Sequence, residues 1–123
     1  MVYLFIFLGG GIGAVARFGL STWMNKTIIH IIPFGTATVN ILGSFVIGFL
    51  FAFMDGRETD FQYWRQLFIV GFLGGFTTFS SFSWEALVLF REGNYLECCI
   101  YILTNVVLSL AGVFAGFALG KSV

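Results

Sequence analysis

Between Gly71 and Ser83 the chain reads GFLGGFTTFSSFS. Five hydroxyls fall within seven residues, Thr77, Thr78, Ser80, Ser81 and Ser83, interleaved with Phe76, Phe79 and Phe82 at a spacing of three. A hydroxyl can donate to an anion or offer its oxygen to a cation. Aromatic rings present positive edges, which also favour anions. Gly74-Gly75 weakens a helix at this point, by about 1 kcal/mol per glycine relative to alanine. The stretch sits inside a long apolar run, and non-helical backbone at membrane depth is tolerated only inside protein or along a water-filled cavity. These residues therefore suit a pathway lining or an ion cradle.

Further polar residues recur at helical spacing in two other apolar runs. Thr36, Thr38, Asn40 and Ser44 give one run a polar stripe, and Asn40, Ser44 and Gly48 share a face. The Asn40 amide offers two donors and an acceptor. In hydrocarbon it must find a partner, either as interhelical glue or in contact with a permeating solute. Tyr101, Asn105 and Ser109 share a face of the last run, a ladder of donors at intervals of about 6 Å. Two ionisable residues stand near span ends. Arg17 lies about 7 Å from the middle of the first run and either snorkels to the surface or puts positive charge at a vestibule. Glu85, about 12 Å past Thr77 if helical, is a mouth-lining acid or an interfacial residue.

The elements that position these groups follow from composition. Of 123 residues, 59% are hydrophobic and 10% charged, and mean hydropathy is +0.97. That places the chain among integral membrane proteins. An all-α fold of four spans is predicted, at about 2–23, 34–54, 63–90 and 95–119, forming a single domain over 1–123. The third span is too long for one straight crossing of about 20 residues, which fits a helix broken between Gly74 and Ser81. The loop from Asp55 to about Gln62, with DGRETD, is aqueous, and Arg91 to Asn94 form a tight turn. Gly9 with Gly13, and Gly112, Gly116 and Gly120, form small-residue stripes that admit another helix closely. The first run holds Arg17 and lacks a small-residue cleavage site, so it reads as a retained span. Net charge is +0, which invites no nucleic acid. Cys98 and Cys99 are neighbours and read as packing residues; His30, the single histidine, reads as a loop residue. No nucleophile–base or metal set points to an enzyme.

With four spans, both termini lie on one side. That side carries Arg57, Arg65 and Lys121; the other carries Lys26, Arg91 and the reach of Arg17, three cations against three. Such balance sets no orientation, and the expectation is insertion both ways and assembly as an antiparallel pair. Two broken third spans would then meet near the midplane. Unwound carbonyls there could coordinate a cation. A path of hydroxyls, amide N–H groups and ring edges without fixed charge favours a small anion.

GGGIGAVAR, GTATVNILGSFVIG and GFLGGFTTFSSFS, in that order on four short spans, resemble the bacterial fluoride channel family (Fluc, or CrcB-type proteins) over essentially the whole chain. The resemblance implies a dual-topology homodimer in the bacterial plasma (inner) membrane, multi-pass, with two antiparallel pores. The implied function is passive export of cytoplasmic fluoride. It also implies a structural sodium ion, Na+, at the dimer centre, held by backbone carbonyls of Gly74 and Thr77. It makes Phe79 and Phe82 the rings that contact fluoride by their edges and Asn40 the pore asparagine. Thr78 and Ser81 become hydroxyls beside the rings, and Tyr101 and Ser109 members of a polar track. Asn105 stands at a track position where some members carry serine, and keeps a donor there. Arg17 and Glu85 match residues near vestibules. The rival readings are a small dual-topology proton-coupled multidrug exporter, for which Glu85 is the sole carboxylate candidate, and a helix-packing subunit without transport. The second would explain the glycines but not the hydroxyl and aromatic cluster.

Overall fold

The computed structural model describes residues 1–57 and 61–123. The loop expected around 55–62 therefore falls in part, at 58–60, outside the described residues. Among those described, the chain is all-helical without a strand. The elements are α1 (Val2–Thr27), α2 (Phe34–Met54), α3 (residues 62–76), α4 (Ser80–Arg91) and α5 (Tyr95–Ser122). α3 and α4 follow each other along one 30-residue stretch, giving four helical lengths long and apolar enough to cross a membrane.

The helix ends have local causes. α1 runs past the expected Trp23 to Thr27, because nothing in TWMNKT breaks a helix. The Thr27 hydroxyl donates to the Trp23 carbonyl at 2.9 Å, and Lys26 lies in the last turn, where a cation suits the helix dipole. Asn25 then reaches across to α2, its Oδ1 accepting the Gly35 N–H at 2.9 Å, so an otherwise orphaned donor of the first turn is satisfied. The turn between α4 and α5 closes on Gly93, whose φ of 81° lies in the left-handed region that glycine enters at little cost.

Two parallel pairs of helices make up the bundle. α1 packs along α3, and α2 along α5. Both seams are sealed by glycine. A Cβ on Gly13 would overlap the Phe72 carbonyl and come within 3.0 Å of the Phe76 nitrogen. One on Gly116 would overlap the Phe45 carbonyl and come within 3.0 Å of the Phe49 nitrogen. The backbones thus touch directly, as small residues allow in membrane helices. Within α3, Arg65–Leu73 is π-helical, a register that the sequence analysis did not anticipate. It brings Gly71 against Gly9 while burying Ile69 and Leu73. A small core joins Ile32, Ala37, Phe82, Leu89, Cys98 and Tyr101, whereas many large apolar side chains of α1 and α5 stand exposed, as a lipid-facing bundle requires.

Candidate functional site

Helical geometry ends at Phe76 and resumes at Ser80. Thr77 between them is extended, with φ −80° and ψ 155°. A peptide leaving a helix inside an apolar bundle needs new partners for its N–H and C=O. Asn40 supplies them. Its Oδ1 accepts the Thr78 N–H at 2.8 Å, and its Nδ2 donates to the Thr78 carbonyl at 2.9 Å. The second Nδ2 proton goes to Asn105 Oδ1 at 3.0 Å. Asn40 therefore brackets one residue, Thr78, from α2 and ties it to α5, spending both amide donors. Of its two sequence readings, this geometry is interhelical glue.

Two more side chains fasten the segment. Thr78 Oγ1 accepts the Ser81 N–H at 3.1 Å, satisfying a first-turn donor of α4. Arg17 spans the interruption from α1: its Nε donates to the Gly75 carbonyl at 3.1 Å and its Nη1 to Ser81 Oγ at 3.3 Å. The guanidinium thus sits at the carbonyl end of α3, where positive charge suits the dipole. It turns inward rather than snorkelling.

The interruption borders an open cavity of about 480 Å³. Eight of the sequence candidates line it: Asn40, Gly74, Thr77, Thr78, Phe79, Phe82, Asn105 and Ser109. Ser44, Val106 and Leu110 complete the wall. Ser44 was visible on the Asn40 face of α2; the other two merely follow Asn105 and Ser109, and their residue types carry no signal. No charged side chain contributes to the lining. The Phe79 and Phe82 rings meet edge to face, 5.3 Å apart at 71°. They differ in setting: Phe82 is 6% exposed and Phe79 is 75% exposed. The Ser109 hydroxyl is buried with no hydrogen-bond partner, and such an orphan needs a water or an ion.

Four candidates lie off this cavity: Arg17, Ser81, Glu85 and Tyr101. Arg17 and Ser81 are paired behind the interruption, as above. Glu85 accepts the Thr36 hydroxyl at 3.0 Å and the Tyr101 hydroxyl, so α2, α4 and α5 meet on one carboxylate. Tyr101, fully buried, also lies 5.5 Å from Phe82 by ring centroids. It therefore links that carboxylate to the aromatic wall. The contact of Asn25, in the last turn of α1, with Gly35 carries no signal in the sequence, since nothing marks one asparagine among several polar neighbours.

A family model, CrcB-like protein, Camphor Resistance (CrcB), matches residues 4–117. A protein of Parabacteroides distasonis named "Fluoride-specific ion channel FluC" is 41% identical over 122 residues, covering 99% of this chain and 94% of its own. A protein of the same name from Coxiella burnetii is 44% identical over 98% of each chain, and one from Nitratiruptor sp. 42% identical over 93% of this chain and 88% of its own. These relatives are named as ion channels, a class apart from enzymes. With a family match over most of its length and four apolar helices long enough to span, this multi-pass membrane chain belongs to the CrcB-like family.

Proposed function

We propose that the chain is a fluoride-specific channel that lets cytoplasmic fluoride leave passively. It works as an antiparallel homodimer of one four-span domain, residues 1–123, with two pores and a central structural sodium ion. One observation carries this reading: the cavity beside the helix interruption is lined by neutral donors and aromatic rings and by no charged side chain. Moving a small, strongly hydrated anion into a low-dielectric interior costs on the order of 20 kcal/mol unassisted. Hydroxyls of Ser44, Thr78 and Ser109, with the remaining Asn105 N–H, replace lost water, and the Ser109 oxygen has a proton with no other acceptor, whereas Thr77 spends its proton on the Leu73 carbonyl. Ring edges of Phe79 and Phe82 add positive potential. Tyr101, Asn105 and Ser109 form the track along α5, with Ser81 beside the rings and Arg17 and Glu85 towards the vestibules.

The donor set fits sodium. In an unbroken helix the Gly74 carbonyl would accept the Thr78 N–H, but Asn40 takes that proton, and Gly74 lines the cavity with a free approach. The extended Thr77 peptide points away from helical register. Neutral carbonyls of Gly74 and Thr77, two from each copy, suit a hard cation. The ion supplies fixed positive charge, which lowers the potential for an anion nearby.

The test is flux from liposomes holding the purified protein, read with fluoride, chloride and a cationic dye. Fluoride should leave fast without a proton gradient. Comparable chloride flux, or proton-driven dye transport, sinks the proposal.

A further inference from the structure

Arg17 reaches the helix interruption from α1, and its two bonds fall on either side of it. Nε donates to the Gly75 carbonyl of α3 and Nη1 to Ser81 Oγ of α4, at 3.1 and 3.3 Å. One planar fork therefore ties the end of one helix to the start of the next. The base of the fork is itself fixed against α3. Gly10 and Arg17 are seven residues apart, about two turns of α1, and share a face. At Gly10 the two backbones touch, since a Cβ on Gly75 would overlap the Gly10 carbonyl.

In a continuous helix the carbonyls of Gly74, Gly75 and Thr77 would accept from Thr78, Phe79 and Ser81. Here the Thr78 N–H goes to Asn40 Oδ1 and the Ser81 N–H to Thr78 Oγ1. The donors that would close on Gly74 and Thr77 are thus turned elsewhere. The Gly75 carbonyl, between those two in the chain, is taken by Arg17.

We infer that Arg17 is a positioning residue for the central sodium ion proposed above, on which reading the inference rests. Its fork holds Gly75 and Ser81, and so fixes the spacing of the Gly74 and Thr77 carbonyls that lie between or beside them. A guanidinium close to a cation site opposes the ion by its charge, so its help is geometric. Lysine carries the same charge but is a point donor on a flexible stem, without the planar fork that matches two acceptors at once.

The test follows thermal unfolding of the purified protein in detergent while sodium chloride replaces choline chloride at constant ionic strength. An ion bound only by the folded protein begins to raise Tm once its concentration exceeds its dissociation constant, and that onset is the readout. Arg17→Lys should move the onset up by at least about tenfold, the usual effect of removing a group that orients a metal ligand. Ser81→Ala removes one anchor of the fork and keeps the charge, and should move the onset up by less. A residue that merely supports the fold lowers Tm equally at every sodium concentration. An onset left in place or lowered in Arg17→Lys therefore overturns the inference. Should that variant fail to fold, an unmoved onset in Ser81→Ala overturns it instead. If the unsubstituted protein melts alike in sodium and choline, the central ion of the proposed function falls, and this inference with it.

Discussion

Asn40 holds more of the site than any other residue. Its amide replaces both backbone hydrogen bonds that Thr78 loses on leaving the helix, and it anchors Asn105 as well. Asn40→Ala leaves those groups short of partners, at about 1–3 kcal/mol for each one left unsatisfied. The expected result is a loss of at least about 2 kcal/mol in unfolding free energy, with fluoride flux abolished; a variant that retains native stability contradicts the bracket. The two phenylalanines separate packing from binding. Phe82 is buried against Tyr101 and Phe79, so Phe82→Ile should lower both stability and flux. Phe79 stands 75% exposed in one copy, so Phe79→Ile should leave the thermal stability of a protomer nearly unchanged while cutting flux at least tenfold. Equal flux with and without the Phe79 ring removes it from the pathway. At this scale the sequence was informative about residue type and face: amide, hydroxyl and ring recur at helical spacing, and the structure gathers eight of them on one cavity. It was uninformative about partners. Whether the Asn40 amide meets a solute or a peptide depends on the extended Thr77, and the direction of Arg17 depends on the carbonyl that the interruption frees at Gly75. Neither is a property of the residue itself.

The helices are held by contacts that tolerate no side chain. Gly13→Ala would drive a Cβ into the Phe72 carbonyl, where backbone cannot yield as a flexible side chain would. It should destabilise the fold by about 1–3 kcal/mol. Gly11, two residues earlier, has open space where its Cβ would stand, and Gly11→Ala should be neutral or stabilising by up to about 1 kcal/mol. Denaturant titration in detergent, comparing the two variants, checks the difference; similar effects from both contradict the seam. Glycine spacing made these stripes legible before any coordinates. The π-helical register of Arg65–Leu73 was not, because RQLFIVGFL has the same apolar character in either register. What decides between them is the fit of Gly71 on Gly9 across the seam, a long-range fact.

Across the whole molecule, charge balance is the feature that bears on assembly. Arg17 is held at the Gly75 carbonyl rather than at a surface. Without it the basic count becomes three (Arg57, Arg65, Lys121) against two (Lys26, Arg91). A margin of one cation gives little orientation preference. Reporter fusions at the C-terminus should therefore read on both sides of the membrane in similar amounts, and moving the margin to three by Lys26→Gln and Arg91→Gln should bias them to one side. A single orientation for the unsubstituted chain contradicts dual insertion.

The two seams join helices that are not neighbours in the chain, and this sets an order of events during synthesis. Asn40 emerges 38 residues ahead of the residue that it brackets, and Arg17 58 residues ahead of the carbonyl that it holds. At about 5–20 residues per second, each waits seconds with its polar atoms unmatched. α1 and α2 enter the bilayer joined near Asn25 and Gly35, but each main glycine seam still faces a helix not yet made. The newborn chain is most vulnerable in that interval, when a costly amide and a charged guanidinium sit beside lipid and only the arrival of the third span gives them a destination.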